Sequence, residues 1–189
     1  MTRKIIVGMS GSSGAVLGVR ALEMLRKMGI ETHLVITDVA RKVMEQETSC
    51  KVAEVEKLAV HVHRIDDFFA PIASGSFKTE GMIVIPCSMK TLAGIASGYS
   101  SNLLLRAADV MLKERRKLVL VAREMPLSLI HIENMEKVTA AGAVVMPPMM
   151  TFYNRPEKIE DMVTHLLGKV FDQFGLETEY KRWGESGKK

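Results

Sequence analysis

The sequence has few cysteines and few aromatic residues. Its 189 residues include two cysteines, Cys50 and Cys87, and only 5% aromatic side chains. Two cysteines so far apart have the spacing of neither a metal-ligand motif nor a disulfide framework. The low aromatic content, without a base-stacking motif, argues against a nucleic-acid partner.

Long apolar runs and a leader segment are also missing. No hydrophobic stretch approaches the length that crosses a bilayer, so we expect no membrane partner. The N-terminus leads directly into a predicted strand, without the apolar core and cleavage site of a signal peptide, which predicts a cytoplasmic protein. The net charge of +4 is modest, and its basic residues are interspersed with acidic ones. This pattern favours a small anionic ligand over nucleic acid.

The remaining composition is typical of one folded domain. Hydrophobic residues make up 47% of the chain and charged residues 25%, which is the ordinary globular range. Because no linker or repeat interrupts the chain, we predict a single domain over residues 1–189, with a flexible tail from about residue 181. The 14 methionines are expected to fill gaps in the core or at subunit interfaces.

Strands and helices alternate along the chain. Apolar runs predict strands over residues 4–9, 32–36, 82–85, 118–121 and 143–146. Helical periodicity and capping residues predict helices over residues 16–28, 39–47, 52–62, 102–115 and 129–141, with two more starting near 89 and 156. This alternation predicts an α/β fold with a parallel sheet. In such folds, ligands bind beyond the carboxyl ends of the strands.

Three strand exits carry polar or charged residues that suit a phosphorylated ligand, and one of them, after the strand over 118–121, carries Arg123 and Glu124. The glycine-rich turn over 11–15 lets the backbone approach a ligand closely, and the following helix N-terminus offers N–H groups to a phosphate. Its G-x-x-G-x-x-G pattern is neither the dinucleotide fingerprint nor a Walker A loop. Pro86 is predicted to mark the exit of the strand over 82–85. Ser88 can cap the next helix and leave N–H groups for an anion.

Asp38 follows the second strand, where an acidic residue can bind the ribose of a nicotinamide dinucleotide. We discount that function because Asp38 is at least as good a helix cap.

Several motifs occur together in a fixed order: GMSGSSGA (8–15), ASGS (73–76), PCSMKTL (86–92), RAADV (106–110), LKER (112–115), RE (123–124), HIENM (131–135) and FY (152–153). With this set the chain resembles the flavin prenyltransferases of the UbiX type, formerly called aromatic acid decarboxylase subunits. The resemblance extends from Ile5 to about Trp183. The ordered combination is far more specific than any one motif.

The resemblance implies a Rossmann-like, flavodoxin-type three-layer sandwich of the homo-oligomeric flavin-containing class, usually a dodecamer. It also implies an enzyme that joins a dimethylallyl group from dimethylallyl phosphate to N5 and C6 of reduced FMN. No metal is expected to take part. The prenylated FMN would then serve a UbiD-type decarboxylase.

Site residues follow from the resemblance, motif by motif. Those expected to hold FMN are Gly11, Ser12, Ser13, Thr37, Ser88, Met89, Lys90, Thr91 and Arg123. Tyr153 and Lys169 are expected to bind dimethylallyl phosphate. The expected catalytic residues are Glu47, as acid/base near flavin N5, and Arg106, Lys113 and Glu124, which surround the phosphate and are completed across subunits. Charge-assisted donors would stabilise the phosphate as it leaves. Either a carboxylate or the phosphate could take the proton from C6.

Two positions depart from some relatives. Phe68 and Phe69 lie where some relatives carry Trp, and Lys169 lies where some carry Arg. We expect binding to be retained with altered geometry, since Lys is a point charge and Arg a fork of donors. His131 is expected to be a structural histidine, and Cys87 a small packing residue because no cation-rich neighbour lowers its pKa.

Three other functions fit parts of the pattern. An FMN-binding accessory subunit or carrier would need the flavin contacts but not the second phosphate site, so the enzyme is favoured by the presence of Glu47, Arg106, Lys113, Glu124, Tyr153 and Lys169. Tyr153 and Lys169 also argue against a flavoprotein that oxidatively decarboxylates peptidyl cysteine. A direct decarboxylase of hydroxybenzoates has the least support. The sequence leaves open the choice between monophosphate and pyrophosphate donors, and the pathway that uses the product.

Overall fold

The computed structural model describes residues 3–184. The chain divides into two compact units, Met1–Pro147 and Pro148–Lys189. Their elements, in chain order, are β1 (Lys4–Met9), α1 (Ala15–Lys27), β2 (Glu31–Ile36), α2 (Asp38–Glu47), α3 (Val52–Glu56), β3 (His61–His63), a 3₁₀ turn (Pro71–Ala73), β4 (Gly81–Cys87), α4 (Met89–Ala96), α5 (Leu103–Lys113), β5 (Lys117–Ala122), α6 (Leu129–Ala140), β6 (Val144–Val145) and α7 (Ile159–Asp172).

The first unit is built on one parallel sheet of six strands. Their order is β3-β2-β1-β4-β5-β6, and every neighbouring pair is parallel. The chain moves outward from β1 to β3 and then returns to place β4 on the other side of β1. Strand order therefore reverses between β1 and β4, where an open α/β sheet forms its ligand crevice. The predicted Rossmann-like α/β fold with a parallel sheet is confirmed.

Helices cover both faces of this sheet. On one face, α1 approaches so closely that a Cβ on Gly18 would lie 2.6 Å from the carbonyl oxygen of Ile85. On the other, Leu104 of α5 lies close to Gly8 of β1. All seven residues of β4 are buried between these layers, as the uninterrupted apolar run predicted. The core thus fixes the strand ends from which the candidate site is built.

The predicted exit of β4 was wrong by two residues. Pro86 and Cys87 belong to the strand, and the chain leaves the sheet at Ser88. The ladder with β5 is irregular between Val84 and Cys87, so Pro86, which has no N–H, lies where regular pairing is interrupted. Its carbonyl oxygen instead accepts hydrogen bonds from the N–H and hydroxyl of Ser10.

The predicted helix over 52–62 was also wrong in its second half. Helix α3 ends at Glu56, and the N–H groups of Leu58 and Ala59 close a turn onto Val55 and Glu56. The edge strand β3 follows. Its Val62 is exposed, and its His-Val-His sequence lacks the apolar run by which a strand is recognised.

Two smaller expectations were corrected at helix starts. Thr37, rather than Asp38, caps α2, because its Oγ1 accepts a hydrogen bond from the N–H of Ala40. Helical spacing in the sequence predicts a packed face of the last helix made of Ile159, Met162, Val163, Leu166, Val170 and Phe174. Ile159 is nevertheless 78% exposed, because α7 begins there.

The second unit is organised around α7. Val163, Val170 and Phe174, predicted to lie along its packed face, are buried. Arg182 donates two hydrogen bonds to Asp172 at 2.7 Å, so the chain is held in place as far as this residue. The rest of the predicted flexible tail, residues 185–189, lies outside the described residues. Among residues 3–184 no helix has the length and apolarity needed to cross a membrane.

Candidate active site

A cleft of about 540 Å³ opens where the strand order reverses. Its walls come from the loop after β1, the start of α2 after β2, and the first turn of α4 after β4. Five of the nine residues expected to hold FMN line it: Gly11, Thr37, Ser88, Lys90 and Thr91. The structure therefore brings together strand exits that are far apart in the sequence.

The first turn of α4 is organised by Ser88. Its Oγ accepts a hydrogen bond from the N–H of Thr91 at 3.3 Å, while its own N–H donates to Ser10 Oγ at 2.8 Å. Of the four N–H groups over residues 88–91 that the sequence predicts to be free, those of Ser88 and Thr91 are therefore already used within the chain. The N–H groups of Met89 and Lys90 remain for a ligand. Lys90 adds a positive charge at the cleft wall, whereas the Met89 side chain is buried in the core.

The loop after β1 approaches α2 closely at Gly11. A Cβ on Gly11 would lie 2.4 Å from Cγ1 of Val39, so only glycine fits without displacing one of these walls. The next residue, Ser12, has a buried Oγ with no hydrogen-bond partner within residues 3–184. A buried hydroxyl without a partner is costly. The close approach at Gly11 and the unpartnered Ser12 hydroxyl together fit a polar or anionic ligand such as the phosphate-bearing FMN.

Glu47 occupies the N-terminus of α1. Its Oε2 accepts hydrogen bonds from the N–H groups of Gly14 at 2.8 Å and Ala15 at 3.0 Å. The prediction that this helix end is open to a phosphate was therefore wrong for these two groups. A carboxylate satisfies them instead and is stabilised by the helix dipole.

The surroundings of Glu47 keep it ionised. Partial burial acts to raise its pKa, but hydrogen bonds from Ser13, Ala15 and Gly14, together with the charge of Arg123, hold the pKa below its ordinary value of 4.5. Arg123 and Glu47 are thus close enough to interact electrostatically. Arg123 is exposed at the end of β5 and is anchored by its backbone N–H to the carbonyl of Cys87 at 3.0 Å.

The remaining expected catalytic residues lie in different places. Arg106 Nε donates to the carbonyl of Ala73 at 3.0 Å, and its NH1 pairs with Asp109 at 2.6 Å. Lys113 pairs with Glu114 at the far end of α5. It is eight residues beyond Leu105, which lines the cleft, or about 12 Å along a helix. A single chain does not bring Lys113 to the cleft.

Glu124 directly follows Arg123 after β5. Its Oε1 accepts a hydrogen bond from the N–H of Met125 at 3.1 Å, and its side chain is exposed. Its carboxylate is therefore open to solvent in one chain.

Tyr153 and Lys169 belong to the second unit. The Tyr153 ring packs edge-on against His165 and Trp183, and Lys169 lies one helical turn after His165 on α7. Burial, followed by the charge of Lys169, lowers the pKa of His165. His165 was missed from the sequence, although its i, i+4 spacing from Lys169 was a signal that the two share a helix face.

Two expectations about reactive side chains are confirmed. Cys87 is fully buried, and burial raises the pKa of its thiol to about 12, so it packs rather than reacts. His131 belongs to the N-terminal capping box of α6, where its Nδ1 accepts a hydrogen bond from the N–H of Ser128 at 3.2 Å. It is a structural histidine.

Sequence reasoning missed a cluster of Glu31, His33 and His61 on neighbouring strands. Burial, the largest cause, lowers the pKa of His33 to about 4, with further lowering by the charges of His61 and His63; Glu31 acts in the opposite direction. The available signal was the repeated i, i+2 spacing of Glu31 with His33 and of His61 with His63, which places each pair on one face of a strand.

The cleft and fold define an α/β flavoprotein, and comparison with known proteins supports this class. Residues 1–170 match the family model described as Flavoprotein. A probable UbiX-like flavin prenyltransferase from Sedimentibacter hydroxybenzoicus is 54% identical over 182 residues, which cover 95% of this chain and 96% of the relative.

Two solved structures extend the comparison over nearly the whole chain. The crystal structure of AnUbiX in complex with FMN and dimethylallyl pyrophosphate is 49% identical, with a TM-score of 0.97 over 99% of this chain and 100% of that one. A dodecameric FMN-dependent UbiX-like decarboxylase from Escherichia coli O157:H7 is 55% identical, with a TM-score of 0.93 over 95% and 98% of the two chains. The chain belongs to the flavoprotein family and, within it, to the UbiX-like flavin prenyltransferases.

Proposed function

We propose that this protein joins a dimethylallyl group from dimethylallyl phosphate to N5 and C6 of reduced FMN. The observation that carries the proposal is the cleft at the reversal of strand order. The cleft combines the N–H groups of Met89 and Lys90, at the start of α4, with the positive charge of Lys90. The buried, unpartnered Ser12 hydroxyl lies in the loop that forms one wall of the cleft. These are donors for a phosphate and for the carbonyl oxygens of a flavin.

FMN is held by side chains and backbone from the strand exits. Gly11 allows the loop after β1 to approach the ligand, Ser12 and Ser13 supply hydroxyls, and Arg123 supplies a fork of donors. The remaining contacts come from Thr37, Ser88, Met89, Lys90 and Thr91. Met89 contributes its N–H, because its side chain is buried.

The donor phosphate is bound by Tyr153 and Lys169, with Arg106, Lys113 and Glu124 completing its surroundings from neighbouring copies. The allylic C–O bond breaks, and the phosphate leaves with the bonding electron pair. The five-carbon group forms bonds to N5 and C6; each position loses a proton, and the prenyl double bond takes up one. Cationic side chains stabilise the leaving phosphate as its charge grows, so the proposed reaction uses no metal.

Glu47 is the acid/base group for the proton at N5 in this proposal. Its carboxylate is ionised at neutral pH because hydrogen bonds and the charge of Arg123 lower its pKa. An ionised carboxylate is in the correct state to accept a proton, although a low pKa makes it a weak base. The leaving phosphate is the alternative base for the proton at C6.

The protein works as a homo-oligomer, a dodecamer like the Escherichia coli structure, in the cytoplasm. In one chain, α6 exposes apolar side chains at Leu129, Ile130 and Ile132, and Phe69 is fully exposed in its loop. Clustered exposed apolar side chains are typical of protein interfaces. The product passes to a UbiD-type decarboxylase.

The test is anaerobic incubation of the purified protein with reduced FMN and dimethylallyl phosphate, followed by mass spectrometry of the released flavin. We expect a mass gain of one cyclised prenyl unit, which persists when a chelator is present. Parallel reactions with the pyrophosphate identify the preferred donor. Lys90→Ala should weaken FMN binding, whereas Lys27→Ala, at the far end of α1, should not. Unchanged FMN from protein that binds it would favour the carrier function.

A further inference from the structure

A histidine-rich cluster lies at one edge of the sheet, near the amino ends of β2 and β3. Glu31 and His33 point to one face of β2, and His33 pairs across the ladder with His61 of β3. The rings of His33 and His61 stack with their centroids 4.5 Å apart. The proposed reaction uses none of these residues.

The separations of their ligand atoms suit a small divalent cation. Glu31 Oε1 lies 3.3 Å from His33 Nε2 and 3.3 Å from His61 Nε2, and one ligand atom from each residue falls within 4.8 Å of the others. Zinc binds imidazole nitrogen and carboxylate oxygen at about 2.0–2.2 Å in tetrahedral geometry, which places neighbouring ligand atoms about 3.3–3.6 Å apart. Two of the three separations already meet this requirement.

The environment of each ligand fits the same function. His33 is buried, and its Nδ1 lies 3.0 Å from His63 Nε2, a contact that orients its ring in the manner of an outer-shell partner. The side chain of His61 is 48% exposed, so it can rotate to bring its ring nitrogen closer to that of His33. Solvent access at His61 also leaves room for a water molecule as fourth ligand.

Two other groups face the cluster. Lys4 Nζ lies 3.3 Å from Glu31 Oε1, and its charge opposes a bound cation. The Phe77 ring packs edge-on against His33 with centroids 5.0 Å apart and covers the ring on that side. A cation must therefore displace the Lys4 ammonium, which is partly exposed and can move into solvent.

We propose that Glu31, His33 and His61 form a zinc site that clamps the short edge strand β3 to β2. The site lies apart from the cleft, since Thr37 is four residues beyond His33, or about 13 Å along a strand. Its function is structural, and it does not depend on the flavin chemistry proposed above.

The experiment titrates Zn²⁺ into the untagged full-length protein, stripped with a chelator, against a chromophoric competitor. We expect one Zn²⁺ per chain and a higher melting temperature with zinc. Co²⁺ in its place should give the visible absorption bands of a four-coordinate site. His61→Ala and Glu31→Gln should each lower the affinity at least tenfold and abolish the zinc-dependent rise in melting temperature.

His131→Ala is the matched control, because it removes a histidine on α6 and should leave zinc affinity unchanged. Two results would overturn the site: absence of stoichiometric binding by the wild-type protein, or equal affinity in the wild type and His61→Ala. His61→Gln provides the same comparison with a residue of similar size if the alanine variant folds poorly. FMN binding, measured in parallel, should not change in any of these variants.

Discussion

Replacing Gly11 with alanine tests whether the loop after β1 forms a wall of the ligand cleft. The added Cβ would lie 2.4 Å from Cγ1 and 2.7 Å from Cβ of Val39. Carbon atoms in contact normally lie about 3.5–4.0 Å apart, so the loop and the start of α2 must separate by about 1 Å. Overpacking of this kind costs about 1–3 kcal/mol. If the walls stay in place, the cost lowers the free energy of unfolding. If the walls separate, it weakens ligand binding.

Two measurements capture both outcomes. FMN affinity is followed by flavin fluorescence, and the free energy of unfolding by urea titration. We expect the two losses in Gly11→Ala to sum to about 1–3 kcal/mol. If the whole cost falls on binding, the dissociation constant rises about fivefold to about 140-fold, since about 1.4 kcal/mol corresponds to a factor of ten.

A double-mutant cycle identifies the cause. Val39→Gly removes Cγ1 and Cβ of Val39, the two atoms that would lie close to the added Cβ. In the Val39→Gly background, Gly11→Ala should therefore lower FMN affinity and stability much less than it does in the wild-type protein. Wild-type affinity and stability in Gly11→Ala would refute the close approach of loop and helix. An unrecovered loss in the double variant would show that the defect does not come from Val39.

Two further predictions concern Glu47 and the cysteines. Glu47→Gln should lower the free energy of unfolding by about 1 kcal/mol at pH 7, a charge-assisted contribution reduced because the side chain is exposed. The folded pKa of Glu47 lies below 4.5, so this contribution is present above that pH and lost as the pH falls through the folded pKa. Urea titrations of both proteins should therefore converge once the pH is below the folded pKa of Glu47; a difference that stays constant as the pH falls would contradict the assignment. A thiol reagent should label Cys50 in the native protein and Cys87 only after unfolding, because Cys87 is buried and the pKa of its thiol is raised to about 12. Mass spectrometry of the labelled protein distinguishes one added group from two, and two on the native protein would contradict this burial.

Much of the sheet could be predicted from sequence, because buried parallel strands read as continuous apolar runs. The bounds of β1 agree with prediction, and those of β2 and β5 differ by one residue at either end at most. The edge strand β3 was missed, since His61 and Val62 are exposed and its H-V-H sequence has no apolar run. The end of β4 was predicted two residues too early, because a proline normally ends strand pairing. Here the irregular ladder with β5 accommodates Pro86 within the strand.

The candidate site was predicted less completely, because its contacts join residues that are distant in the chain. Ser88 could be recognised as a helix cap at a strand exit, whereas at the exit of β2 the sequence favoured Asp38 over Thr37 as the cap. Thr37 and Ser88 both line the cleft. The capture of the α1 N-terminus by Glu47 could not be read from sequence, since Glu47 and Ala15 are 32 positions apart. The separation of Lys113 from the cleft likewise depends on the direction of α5.

The most direct test of the proposed function is a single-turnover reaction without oxygen, with reduced FMN bound to the protein and dimethylallyl phosphate added. Inorganic phosphate and the prenylated flavin are quantified in the same quenched samples. The proposal predicts that one phosphate is released for each flavin prenylated, at the same rate. Phosphate released without change to the flavin, or unchanged phosphate donor and FMN, would contradict it.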